Sequence, residues 1–279
     1  MKEGRKYAEY LAVAGTGIGC ALLVVLLERF QVRAAGGAEA LRALIGRIPF
    51  ADAQTGPLLC ALLTGSRSGL GREVTASFRA AGASHLLALS GLHLGFIYAL
   101  VSRILSLPGN APAVRLVRSL VVCLFCLGYT LMTGASPSTV RALLFILLRE
   151  ATRMMPGRRC SGGQILARAL LIQLAIRPSV ALNVGFQLSY LAMLGIFLVY
   201  PHLRDWFPAG KRFNPMKWIW DKAALTLSCQ VFTAPLSWLY FRSFPPHFLL
   251  ANLLALPLTE GLLTAGVACV GLSAAGACP

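Results

Sequence analysis

Residues 180–200 read VALNVGFQLSYLAMLGIFLVY, an uninterrupted run without one charged side chain. At 1.5 Å of helical rise per residue such a run is about 30 Å long, the thickness of a bilayer's hydrocarbon core. Working outward, comparable apolar helices are expected at about 86–106, 115–133, 137–154, 164–176, 222–241 and 248–278, the last broken near Pro257. The piece at 164–176 is short and carries Arg168, which suits a half-spanning or re-entrant helix. The whole chain agrees with its parts. Of its 279 residues 57% are hydrophobic and 13% charged, and the mean hydropathy is +0.69, far from the roughly 25% charge of a soluble domain. The fold class expected is all-α, a polytopic helical membrane bundle of roughly 6–8 transmembrane or half-spanning helices. The short alternating strands of a transmembrane barrel are missing.

Two blocks divide the chain. Residues 1–50 form an N-terminal segment in which the run 11–27 is short for a crossing and rich in glycine; it reads either as a weak transmembrane candidate or as a strand followed by an amphipathic helix at 39–48. Residues 51–279 hold the strong spans. The net charge of +16, from 26 basic against 10 acidic residues, points to membrane phosphates or a passing polyanion as partners. Basic residues near 115, 149–159 and 204–217 fall on one side of the alternating spans, which places that side in the cytoplasm and the first 80 residues outside. The eight cysteines sit mostly within apolar runs as small buried hydrophobes. Cys123 and Cys126 have CxxC spacing without a second ligand pair, so no metal or other cofactor is expected.

Polar residues inside the spans are the functional candidates, because they face a cavity or a partner helix. Ser90 and His93 share one helix face beside Gly91 and Gly95, whose spacing suits close helix packing. The stretch from Gly134 to Ala142 is a break followed by a helix start: Ser136 can cap, Pro137 suits the first turn, Ser138 lies beside them, and Arg141 adds a cation one turn in. Such a half-helix start suits an anion. Asn183, Gln187 and Tyr190 form one polar stripe. Thr226, Gln230, Thr233, Ser237 and Tyr240 form a second, with Pro235 inside it. Each group suits either a water-filled path or hydrogen bonding between helices.

The phrases Leu62-Leu-Thr-Gly-Ser-Arg-Ser-Gly69, His85-Leu-Leu-Ala-Leu-Ser-Gly-Leu-His93, Gly134-Ala-Ser-Pro-Ser-Thr-Val-Arg-Ala142, Gly185-Phe-Gln-Leu-Ser189 and Ala251-Asn-Leu-Leu-Ala-Leu-Pro257 resemble, in order, the membrane domain of ComEC-type competence proteins. Ser66 departs from the family, which often has an acidic residue there. The resemblance implies a channel component of the bacterial cytoplasmic membrane that takes up single-stranded DNA during natural transformation. It implies partners as well: the DNA strand, the lipid bilayer, other competence proteins supplying nuclease and motor functions, and a second copy of the chain. Residues 7–20 then resemble the tail of the OB-type domain that precedes the channel in larger members, which favours the strand reading of 11–27, and the end at Pro279 suggests a fragment or a naturally short form.

Two other readings compete with the channel. A small-molecule transporter or structural membrane subunit would use the same half-helices. An intramembrane serine protease is suggested by Ser90, His85, His93, His247 and Asn252. Against it, Ser90 and His93 share one helical segment instead of meeting from two.

Overall fold

The computed structural model describes residue 15 and residues 17–27, 35–87, 91–105, 112–154, 160–207, 214–242 and 248–274. Every regular element among them is a helix. In chain order these are α1 (Gly17–Leu27), α2 (Ala35–Gly46), α3 (Thr55–Thr64), α4 (Arg72–Ala80), α5 (Ser84–Leu87), α6 (Gly91–Ile104), α7 (Pro112–Met132), α8 (Pro137–Met154) and α9 (Gly162–Ile176). A 3-10 turn at Pro178–Leu182 precedes α10 (Val184–Leu198), α11 (Tyr200–Asp205), α12 (Pro215–Phe241) and α13 (Phe248–Ala274). The expected all-α class holds.

Three stretches, Ala113–Met132, Val184–Asp205 and Phe248–Ser273, are long and apolar enough to cross a membrane. α1, α3, α6 and α9 are apolar but shorter, below the roughly 20 residues of a full crossing. The surface confirms the medium. Along α7, Leu116, Val117, Leu120, Val121, Leu124 and Phe125 are exposed while Ser119, Val122, Cys126 and Thr130 are buried. An apolar stripe turned outward over a partly polar interior reverses the soluble pattern and suits contact with lipid. The chain is a membrane protein.

The chain forms two compact units, residues 1–38 with 90–183 and residues 39–89 with 184–279. In the first, α6, α7 and α8 pack on one another and α9 packs on α8. Its apolar core joins Val24 of α1 to Val140, Leu144 and Leu148 of α8 and to Ile165 and Ala169 of α9. The strand expected within 11–27 is therefore a helix wherever it is described. Val24 and Leu27 are buried, and that burial outweighs the unfavourable helix propensity of the glycines. Of residues 7–20, which carry the OB-type resemblance, 7–14 and 16 lie outside the described residues.

In the second unit α12 packs on α10, α11 and α13, and α13 packs on α3. Ala83 and Leu86 meet Leu256 of α13. The tightest approach is at Gly195, where a methyl group would lie 2.1 Å from the Ser228 carbonyl oxygen. Only glycine lets two backbones come so close. Three boundaries move from the expectation. α12 begins at Pro215, because Asn214 accepts from the Met216 and Lys217 N–H groups at 3.0 and 3.4 Å and Pro215 suits the first position. α10 begins at Val184, since Pro178 opens a 3-10 turn that ends in extended backbone at Asn183. α13 runs through Pro257 unbroken; the lost hydrogen bond is tolerated where Leu256, Thr259 and Leu263 are buried around it.

Candidate functional site

The turn between α7 and α8 shows how one polar end of the first unit is built. Gly134 and Ala135 both have positive φ, 78° and 47°. The Ala135 N–H bonds the Thr130 carbonyl at 2.8 Å and the Gly134 N–H bonds that of Leu131 at 3.1 Å, a Schellman closure of α7. Ser136 then caps α8. Its hydroxyl accepts from the Thr139 N–H at 3.4 Å and lies 3.1 Å from the hydroxyls of Ser138 and Thr139. The expected anion-facing helix start thus uses the Thr139 N–H on the chain's own serine. Arg141 is partly buried one turn further on.

Two motifs far apart in sequence converge here. A methyl group at Gly91 would lie 3.1 Å from the Ala142 Cβ and 3.6 Å from the Ser138 carbonyl oxygen, so the start of α6 rests on the first turns of α8. Gly95, expected to share that packing role, has nothing within 4 Å of its Cβ position. The close approach is confined to one turn. His93 is fully buried. Ser90 lies outside the described residues, as does His247 of the protease reading.

At the opposite end of α8 lies a cluster that sequence reasoning missed. Glu150 is buried. Its Oε1 accepts from the Tyr98 hydroxyl at 2.5 Å and from Arg153 Nη1 at 2.9 Å, and its Oε2 accepts from Ser119 at 2.9 Å. Arg153 Nη1 also donates to the Tyr98 oxygen at 2.9 Å, and the Arg149 guanidinium stands 5.8 Å from the Tyr98 ring centre. A buried carboxylate is tolerated when it is paired and hydrogen-bonded; this one has donors from α6, α7 and α8. The signal was available: Glu150 is the one acidic residue between Glu73 and Asp205. Arg149 and Arg153 lie in the last turns of α8, inside the helix expected over 137–154.

In the second unit the α12 stripe is present, and its two threonines are satisfied within their own helix. Thr226 donates to the Lys222 carbonyl at 3.0 Å and Thr233 to that of Cys229 at 3.0 Å. Gln230, Thr233 and Ser237 are partly buried and Tyr240 is exposed. Gln187 is partly buried on α10, where the Tyr190 and Phe186 rings pack with centres 4.6 Å apart and planes tilted by 45°. Asn183 is exposed at the 3-10 turn's end, off the helix that carries Gln187, because the backbone is extended there.

The stripe leads at its N-terminal end to a pair that sequence reasoning also missed. Lys222 Nζ donates to both carboxylate oxygens of Glu260 on α13, each at 3.1 Å. Nearby, Lys217 pairs with Asp221 at 2.8 Å, and Trp220 Nε1 donates to the Leu203 carbonyl at 2.7 Å. A lone charge at the centre of a membrane helix costs about 2.5–3.5 kcal/mol on insertion scales, which the partner offsets. In the same unit a cavity of about 470 Å³ is lined by Arg42, Phe50, Asp52, Cys60, Ser66 and Ser68. The two serine hydroxyls are 2.7 Å apart. Among the described residues no group of three His, Cys, Asp or Glu side chains is gathered as a metal site.

Residues 62–277 match the family described as Competence protein. The chain is 32% identical to ComE operon protein 3 of Bacillus subtilis over 138 residues, 50% of this chain and 17% of that one. It is 28% identical to Recombination protein 2 of Haemophilus influenzae over 218 residues, 74% of this chain and 27% of that one. A third relative, YcaI of Escherichia coli, is 26% identical over 203 residues, 70% of this chain and 26% of that one. The chain thus spans about a quarter or less of the length of these relatives. No solved structure matches it.

Proposed function

Because the chain belongs to the competence protein family, we propose that it forms part of the channel that carries a single DNA strand across the bacterial cytoplasmic membrane in natural transformation. The observation that carries this reading is the extent of the match: residues 62–277 include the capped turn of α8, the Glu150 cluster and the polar stripe of α12. The net charge of +16 supports it, since a phosphate backbone is attracted by cations whatever its base sequence. Few aromatic side chains accompany the stripes, so stacking on bases contributes little and strands of any sequence pass.

Conduction is the whole activity assigned to the chain. Other competence proteins supply the nuclease and the motor, and a second copy of the chain completes the channel. The segments carrying Arg158 and Lys211, both outside the described residues, are assigned to the cytoplasmic side from the bias of basic residues.

Arg141 tests the reading. A guanidinium one turn inside α8 that serves a passing phosphate predicts that Arg141→Gln leaves the protein in the membrane at normal abundance and lowers DNA uptake. Arg141→Lys, which keeps the charge, is milder. Transformation frequency and membrane abundance are measured together in a strain whose own copy is deleted. Uptake that survives the deletion itself overturns the channel assignment; normal uptake in Arg141→Gln removes that residue from the path.

A further inference from the structure

Lys222 stands four residues before Thr226, on the helix face that continues through Gln230, Thr233 and Ser237. Its ammonium is the one charge on that face. From Lys222 to Phe241 and along the whole of α13, the charged side chains are Lys222 and Glu260, and they are bonded to each other. Their geometry is that of a loose pair. Both contacts are 3.1 Å, longer than the 2.7–2.9 Å or so of a tight charge-assisted hydrogen bond. The side chains also keep 21% and 39% of their exposure, so neither is enclosed by the protein.

The chemistry of the partner indicates what could replace it. Glu260 presents two anionic oxygens to one ammonium, and a phosphodiester presents its two non-bridging oxygens in the same way. Replacing one by the other leaves the ammonium paired throughout. A lysine without a resident anion would hold each phosphate and stall the strand, whereas competition from a tethered carboxylate keeps every contact weak, as conduction requires.

We propose that Lys222 is a phosphate-contact residue of the conduction path, and that Glu260 is its resident counter-ion, displaced by successive phosphodiesters as a strand moves past. This rests on the channel reading above. It predicts opposite effects from neutralising the two partners, which a purely structural tie between α12 and α13 does not.

The test uses the full chain in phosphatidylcholine vesicles with a single-stranded oligodeoxythymidine as probe, its affinity measured over a range of salt concentrations. Lys222→Gln should weaken binding roughly fivefold and reduce the slope of log affinity against log salt by about 0.7, the loss of one phosphate contact. Glu260→Gln should tighten binding by a similar factor, and Lys222→Arg should keep the slope. If Lys222→Gln does not insert, Glu260→Gln and Lys222→Arg carry the test alone. Glu260→Gln that weakens binding, or variants that leave the salt slope unmoved while the unaltered chain binds the strand, overturn the proposal and leave the channel reading standing. An unaltered chain that binds no strand overturns both. Repeating the measurement with phosphatidylglycerol vesicles identifies the source of the phosphate: Lys222→Gln that reduces lipid retention but not strand binding makes the ligand a headgroup, which also overturns the proposal.

Discussion

Glu150 and Glu260 are both carboxylates on helices of a membrane protein and both have a basic partner, yet one is sealed and the other open. The Glu150 side chain keeps 9% of its exposure and accepts from Tyr98, Ser119 and Arg153. Glu260 keeps 39% and is held by Lys222. The difference teaches that charge inside an apolar helix has two uses. A carboxylate with donors from three helices ties them together, and moving it would strand the Tyr98 and Ser119 hydroxyls. A carboxylate with one partner and an open side can exchange that partner at small cost.

The largest expected effect comes from breaking the sealed cluster. Glu150→Ala leaves the Tyr98 and Ser119 hydroxyls without their acceptor, each unsatisfied donor costing about 1–3 kcal/mol, while Arg153, 52% exposed, turns to solvent. The variant should be nearly absent from the membrane, as judged by immunoblot of membrane fractions. Wild-type abundance would show that the cluster is not the tie described above.

A smaller effect is expected at the backbone contact that gives the second unit a cohesion independent of its ion pair. At Gly195 a methyl group would meet the Ser228 carbonyl at 2.1 Å, so α10 and α12 must separate in Gly195→Ala. Overpacking of this kind costs about 1–3 kcal/mol. The detergent-solubilised variant should melt at a lower temperature, and an unchanged melting point would contradict the close approach.

The smallest effect on stability is expected at the open pair. Lys222→Gln and Glu260→Gln should each change stability by about 1 kcal/mol or less, the range of partly exposed ion pairs, even though both alter strand binding. A loss as large as that of Glu150→Ala would erase the contrast between the two carboxylates.

Much of the fold is legible in the amino-acid sequence. The spans expected near 115–133, 137–154 and 164–176 differ from α7, α8 and α9 by a few residues at most, because apolar runs and caps act over one or two helical turns. The turn at Gly134 to Pro137 is readable for the same reason: Ser136, Pro137 and the glycine do their work on adjacent backbone. The run 11–27 is not readable, since its glycines weaken every local preference and its helix is stabilised by burial against α8 and α9. The candidate site is legible in part. Polar residues are visible along the helices, but their satisfaction is not, and His93 proves to be enclosed.

The sequence by itself determined that this is an α-helical membrane protein with competence-family motifs, because hydropathy, helix period and capping are properties of neighbouring residues. The tertiary structure alone decided which charges are enclosed and which stay partly exposed. Tyr98 meets Glu150 across 52 positions and Lys222 meets Glu260 across 38. The energy of a buried charge depends on which donors other helices bring within 3 Å or so of it, and no local pattern records that.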